Sequence, residues 1–160
     1  MIIFIIPVYN SEATIGKCIE SILDQDVEKK VIVVDNGSTD KTADIIKKYP
    51  VKYIYEPKRG PAAAKNRGLK EVPDNAEFVA FIDSDVVLPK DWTQKALKMI
   101  SINTEIAGVG GPGKSVVKNI ISETFDYLLY GRIRSKKKRF VNSLATMNVL
   151  YRWQSIKGKY

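Results

Sequence analysis

The sequence predicts an α/β fold, a three-layer α/β/α sandwich built on a mainly parallel sheet. Two observations predict it. Short β-branched runs alternate along the chain with longer segments whose apolar residues recur every three or four positions, the pattern of strand–helix–strand units. The strand runs are also apolar at nearly every position, as in strands covered by helices on both faces. A chain of 160 residues, 44% hydrophobic and 28% charged, suits one domain that buries roughly 70% of its unfolded surface.

The elements follow in order. Residues 2–6, IIFII, read as a first buried strand that stops at Pro7. In EATIGKCIESILDQD the apolar positions Ile15, Cys18, Ile19, Ile22 and Leu23 fall on one face of a helix, with Asn10 or Ser11 placed to cap it. Val31–Asp35 is a second strand; Gly37 permits a tight turn, and Ser38 or Thr39 can cap a helix over about Lys41–Tyr49 that buries Ala43, Ile46 and Tyr49. A third strand is expected near Lys52–Tyr55. Gly60 then turns the chain and Pro61 suits the first position of the next helix. FVAFI, from Phe78, is a fourth strand. The helix after it has Asp91 at its cap and Trp92, Ala96, Leu97 and Ile100 inward, and IAGVGG is a fifth strand. From Lys114 an amphipathic, aromatic stretch, a basic run and the strand-like FVNSLATMNVLYRW read as a segment that wraps the sheet's edge.

Composition removes several kinds of chemistry. Histidine is absent, which excludes Ser-His and Cys-His catalysis and leaves carboxylates as acid–base and metal-ligand groups. The one cysteine, Cys18, allows no internal disulfide and no cysteine zinc site, and its place on the apolar helix face predicts inert packing. MIIFIIPV and FVAFI, the longest apolar runs, fall far short of the ~20 residues of a membrane span, and the N-terminus reads as a strand rather than a leader. The expected location is therefore the cytoplasm, with membrane association left open by charge. The net charge is +8, and RIRSKKKR gathers six cations: Arg132, Arg134, Lys136, Lys137, Lys138 and Arg139. A solvated loop, a contact with an anionic membrane surface and a contact with a phosphorylated substrate are the competing readings. No zinc-finger, basic-heptad or RNA-binding signature accompanies the run, so no nucleic-acid partner is expected.

In an open parallel sheet, ligands bind outside the carboxyl ends of the strands. Three such ends carry polar clusters here: PVYNS after the first, DNGSTD at the second and DSD after the fourth. Two carboxylates one residue apart at the end of a buried strand repel and resist desolvation unless a cation or donor compensates them. A divalent metal would resolve that conflict. Lys65 and Arg67, on the helix opened by Pro61, are candidate diphosphate partners. No G-x-G-x-x-G follows the first strand and no P-loop pattern occurs, which argues against dinucleotide and P-loop sites.

FIIPVYNSEATIGKCIESILDQ, VIVVDNGSTDKTADI, GPAAAKNRGL and FIDSD, as an ordered set, resemble the successive blocks of the family 2 glycosyltransferases of GT-A fold. The resemblance covers about residues 1–112, which it makes the donor-binding core. ATMNVLYRW resembles a later block more loosely and makes residues 113–160 a partial acceptor-side or edge segment. The resemblance implies a hexosyltransferase-like, inverting, metal-dependent transfer of sugar from a UDP-, dTDP- or GDP-linked donor to a sugar or lipid-linked acceptor, as in polysaccharide or glycolipid synthesis. It implies that Pro7, Val8, Tyr9, Asp35 and Asn36 line the nucleoside pocket and that Lys65, Asn66 and Ser84 lie near the donor. Asp83 and Asp85 become the D-x-D pair, which would hold Mg²⁺ or Mn²⁺. Three departures stand out: Asn36 where many relatives have Asp, Lys65 in place of the commoner Arg, and no acidic pair carrying the family's catalytic base. The resemblance puts that base beyond Tyr160; Glu123 and Asp126 read as solvated face residues. A nucleotide-binding module without turnover is the alternative reading, and a peripheral membrane adaptor a third.

Overall fold

Strand β1 (Ile2–Val8) is buried at every position except the half-buried Pro7, so it must lie at the centre of the sheet. Ile3 and Ile5 point into one apolar layer and Phe4, Ile6 and Val8 into the other. The computed structural model describes residues 1–111 and 147–159. Strands β2 (Lys29–Asp35) and β4 (Phe78–Ile82) flank β1 in parallel, and β3 (Lys52–Tyr55) extends the sheet beyond β2. Two further strands, β5 (Gly108–Gly110) and β6 (Asn148–Arg152), complete a six-stranded sheet of order β3-β2-β1-β4-β6-β5.

Helices cover both faces, as the continuous apolar strands require. On one face α1 (Ile15–Leu23), α2 (Thr42–Ile46) and α4 (Trp92–Ile100) bury Ile15, Cys18, Ile19, Ile22, Ile46 and Ala96 against Phe4, Ile6, Val33 and Ile82. On the other, α3 (Pro61–Leu69) and the short α5 (Trp153–Ile156) pack Ala64, Leu69 and Trp153 on Ile3, Ile5, Val34 and Phe81. Each fully buried Ile, Phe or Leu contributes about 1.5–3 kcal/mol relative to exposure. Helix α3 comes close enough to β1 that a Cβ on Gly68 would sit 2.5 Å from Cγ2 of Ile5. Glycine sets that spacing.

Four expectations change. Pro7 does not end β1: it pairs with Val34, and the strand runs on to Val8. Val8 offers its carbonyl to Asn36 on the β2 side, so alternation turns Pro7 toward β4, where pairing has already stopped at Ile5. The missing N–H therefore breaks no ladder bond. Helix α2 is shorter than its pattern, because Pro50 disfavours helical geometry just before it; Thr42 and Ile46 are buried, while Ala43 and Tyr49 are half-buried. Leu23, Trp92 and Leu97 are likewise only partly buried, and Thr93 takes a core position instead. Finally, NVLYR does not skirt the edge. It inserts between β4 and β5, antiparallel to both, and leaves the three-residue β5 at the margin.

Among the described residues no helix is long and apolar enough to cross a membrane. The basic run Arg132–Arg139, the amphipathic stretch before it, Glu123 and Asp126 all lie outside the described residues.

Candidate functional site

The loops that leave β1 and β2 are joined to each other by reciprocal hydrogen bonds. The Asn10 amide donates to Ser38 Oγ at 3.0 Å, and Asn10 Oδ1 accepts the Thr39 N–H at 2.8 Å. Ser11 N–H reaches Thr42 Oγ1 at 2.8 Å, the Glu12 N–H donates to Asp40 Oδ2, and Glu12 Oε2 accepts the N–H of the next residue, Lys41. These bonds explain Asn10 at φ 46°, a left-handed geometry that Asn tolerates. They also replace the expected caps: neither Asn10 nor Ser11 caps α1 with its side chain, nor Ser38 or Thr39 α2. Two strand ends thus form one stiff rim.

On that rim Val8 is buried, Pro7 half-buried and Tyr9 half exposed, with the Arg59 guanidinium 4.6 Å over its ring. Asp35 is 2% exposed and both carboxylate oxygens are engaged, Oδ1 by the Ser38 N–H at 2.9 Å and Oδ2 by the Tyr53 hydroxyl at 2.8 Å. Burial, with the carboxylate beside it, pushes the Tyr53 phenol up to about 12, so Tyr53 is a standing donor at neutral pH. Asn36, 6% exposed, donates from Nδ2 to the carbonyls of Glu56 and Lys58 at 2.9 and 2.7 Å and accepts the Gly60 N–H at 2.7 Å. Its side chain therefore pins the turn before α3, and both amide hydrogens are committed to that turn.

At the end of β4 the chain turns through Asp83, Ser84 and Asp85, closed by a Val86 N–H bond to the Asp83 carbonyl at 3.0 Å. Ser84 Oγ lies 2.9 Å from Ser11 Oγ, which links this turn to the rim. Lys65 Nζ, from α3, sits 3.5 Å from Asp83 Oδ1. Burial raises the Asp83 carboxyl above the usual aspartate range; Lys65 opposes that shift and Asp85 adds to it. Asp85 itself is solvent-exposed. Among the described residues no three potential metal-ligating side chains converge, so this pair offers two carboxylates at most. That donor set fits Mg²⁺ or Mn²⁺, hard cations commonly held by one or two carboxylates together with phosphate oxygens and water.

The structure therefore gathers Pro7, Val8, Tyr9, Asp35, Asn36, Lys65, Asp83, Ser84 and Asp85 along one end of the sheet. Asn66 is exposed, one residue round α3 from Lys65. Arg67 is not there. It pairs with Glu71, which also takes Lys52 at 2.5 Å at the start of β3, the opposite end of the sheet. Sequence reasoning missed Arg59 and Tyr53; the KRG triplet that ends at Gly60 and a tyrosine inside β3 were the signals for them, and neither reveals its partner.

The comparisons with known proteins agree with this architecture. An uncharacterized glycosyltransferase of Haemophilus influenzae is 32% identical over 98% of this chain and 64% of its own length. The poly(ribitol-phosphate) beta-N-acetylglucosaminyltransferase TarS of Staphylococcus aureus is 33% identical over 75% of this chain and 23% of its own length. A crystal structure of S. aureus TarS 1-349 in complex with UDP-GlcNAc superposes with a TM-score of 0.74 at 25% identity, covering 99% of this chain and 47% of that one. The chain thus spans less than two thirds of these relatives, and its fold is that of the GT-A glycosyltransferases. The signature of glycosyl transferase family 2 matches residues 3–155, and the chain belongs to that family.

Proposed function

We propose that this chain holds a nucleotide-diphospho-sugar donor, UDP-, dTDP- or GDP-linked, for metal-dependent, inverting transfer to a sugar or lipid-linked acceptor. The observation that carries the reading is the convergence of the rim and the Asp83–Asp85 turn at one end of the sheet, joined by the Ser11–Ser84 and Lys65–Asp83 contacts. Tyr9 offers an apolar face with a polar tip for the nucleoside, and Asp35, oriented by Tyr53 and the Ser38 amide, keeps unused lone pairs for a donor group. Asp83 and Asp85 would hold Mg²⁺ or Mn²⁺, which supplies charge neutralisation for a departing diphosphate. Lys65 adds a fixed positive charge beside them. The UDP-GlcNAc complex of TarS supports a nucleotide-sugar as the ligand class.

Titration calorimetry of UDP, dTDP and GDP with and without Mn²⁺ tests this. The parent should bind one of them more tightly with Mn²⁺, and Asp85→Asn should lose that gain while remaining folded, because removing one of two repelling carboxylates relieves strain. Equal affinities for Asp85→Asn and parent in Mn²⁺ would sink the metal assignment.

A further inference from the structure

We infer that Gln25, assisted by Ser21, is a positioning residue for the Asp83–Asp85 turn, acting through the loop that joins β4 to α4. The inference rests on reading that turn as the cation and donor-phosphate site. Asp85 is exposed, and among the described residues it has no ion-pair partner. Its position is therefore set by the backbone that carries it, and the question is what holds that backbone.

Three residues on one stripe of α1 and its C-terminal end hold it. Cys18 Sγ lies 3.6 Å from the Asp83 carbonyl. Ser21 Oγ accepts the Leu88 N–H at 3.0 Å while donating to the Cys18 carbonyl at 2.8 Å. Gln25, 1% exposed, does most. Its Nε2 donates to the carbonyls of Ser21 and Pro89, both at 3.0 Å, and its Oε1 accepts the Thr93 N–H at 3.1 Å and the Thr93 hydroxyl at 2.8 Å. Both hydrogens and both lone pairs of one buried amide are committed, three of the four bonds reaching the loop or the first turn of α4. A buried amide that merely filled space would need only enough bonds to offset its desolvation.

The spacing of 18, 21 and 25 is the three-and-four rhythm of a helix face, so a single rigid element carries all three fastenings. Asp85 sits between two of them, Asp83 and Leu88. Release of Leu88, Pro89 and Thr93 would leave the polar backbone after Ser84 fastened by the Val86–Asp83 turn bond, with the apolar packing of Val86 and Leu88 as the remaining hold. Gln25 makes no contact with Tyr9, Asp35 or Asn36, so its loss should reach the cation pair and spare the nucleoside rim.

The test compares UDP affinity with and without Mn²⁺ in the 160-residue parent and in Gln25→Met, Ser21→Ala and Thr93→Val. Outer-shell changes at metal sites typically cost about 10–100-fold. Gln25→Met should cut the Mn²⁺-dependent gain about tenfold or more. Ser21→Ala and Thr93→Val, which each delete a single contact to the loop or helix and keep folding secure, should cut it less, and metal-free UDP affinity should hold within about twofold in all three. A brace for α4 alone would lower the melting temperature yet leave the Mn²⁺ gain at the parental value, and that result overturns the inference. So does a parallel fall in metal-free affinity. A parent with no Mn²⁺ gain at all refutes the functional reading first and this assignment with it, which separates the two failures.

Discussion

Replacing Asn36 distinguishes a brace from a reader of the nucleobase. The side chain is 6% exposed and makes three bonds of 2.7–2.9 Å to the Glu56, Lys58 and Gly60 backbone. An intramolecular hydrogen bond contributes about 1 kcal/mol net, so Asn36→Ala should cost about 3 kcal/mol. Pro57, Lys58 and Arg59 are exposed, which lets water reach part of the released turn and keeps the cost from rising further. At this chain length about 3 kcal/mol lowers the melting temperature by about 6–12 °C. Asn36→Asp is the sharper probe. It keeps an acceptor for the Gly60 N–H but sets a carboxylate oxygen against two carbonyls with no proton between them. Its buried carboxyl would be held above the usual aspartate range, so the protonated form is the one the fold tolerates. The cost is then small at pH well below that range and grows as pH rises through the shifted pKa. Urea unfolding at acidic and neutral pH, with UDP affinity measured beside it, reads both effects. An Asn36→Asp protein as stable as the parent at neutral pH would refute the brace. An Asn36→Ala protein of parental stability that no longer binds nucleotide would show the base-reading role instead.

Two other substitutions probe the frame around the site. Tyr53→Phe removes a 2.8 Å donor to the buried Asp35 carboxylate and should cost about 1.5–3 kcal/mol in denaturant unfolding. Because the phenol is raised to about 12 in the folded state, parental stability is fully present below the ordinary tyrosine value near 10 and is lost as pH climbs toward 12; the variant should show a flatter alkaline limb, and an identical limb would contradict the assignment. Gly68→Ala places a methyl 2.5 Å from Ile5 Cγ2 and 3.3 Å from Val34 Cγ2, so it should destabilise by about 1–3 kcal/mol despite alanine's better helix propensity. A neutral or stabilising result there would mean that α3 can shift away from β1.

The strands and helices were legible because their signals are local. Phe78–Ile82 is apolar throughout and forms β4 with those bounds, and the i, i+3, i+4 face of α1 is the buried one. Pro7 misled because its cost depends on which neighbour its nitrogen faces, a property of pairing and not of the residue. NVLYR could be recognised as a strand, but its insertion between β4 and β5 depends on contacts with residues about 40 and 70 positions earlier, which periodicity does not encode. The site divides the same way. The positions of Asp35, Asp83 and Asp85 follow from where strands end. The partners of Arg67, Asn36 and Gln25 follow from how side chains meet across elements, and only three-dimensional placement decides that Arg67 serves Glu71 while Arg59 covers Tyr9.

That division has a physical consequence for the opening conflict of two carboxylates at the end of a buried strand. Asp35 is also a carboxylate at a strand end and more deeply buried, yet it receives a backbone N–H and a phenol within the fold. Among the described residues the Asp83 carboxylate receives Lys65 alone, at 3.5 Å and with 40% of the Asp83 side chain exposed, a contact too solvated to contribute more than about 1 kcal/mol. Asp85, which adds repulsion, has no cation of its own among the described residues. The described fold thus fixes the backbone of this turn through β4 and α1, while among the described residues its negative charge is compensated only in part. A site that neutralised both carboxylates internally would attract a cation less strongly. Rigid placement with incomplete compensation is the arrangement that, on the proposed reading, would let a divalent ion and the phosphates it carries complete the electrostatics at Asp83 and Asp85 rather than at Asp35.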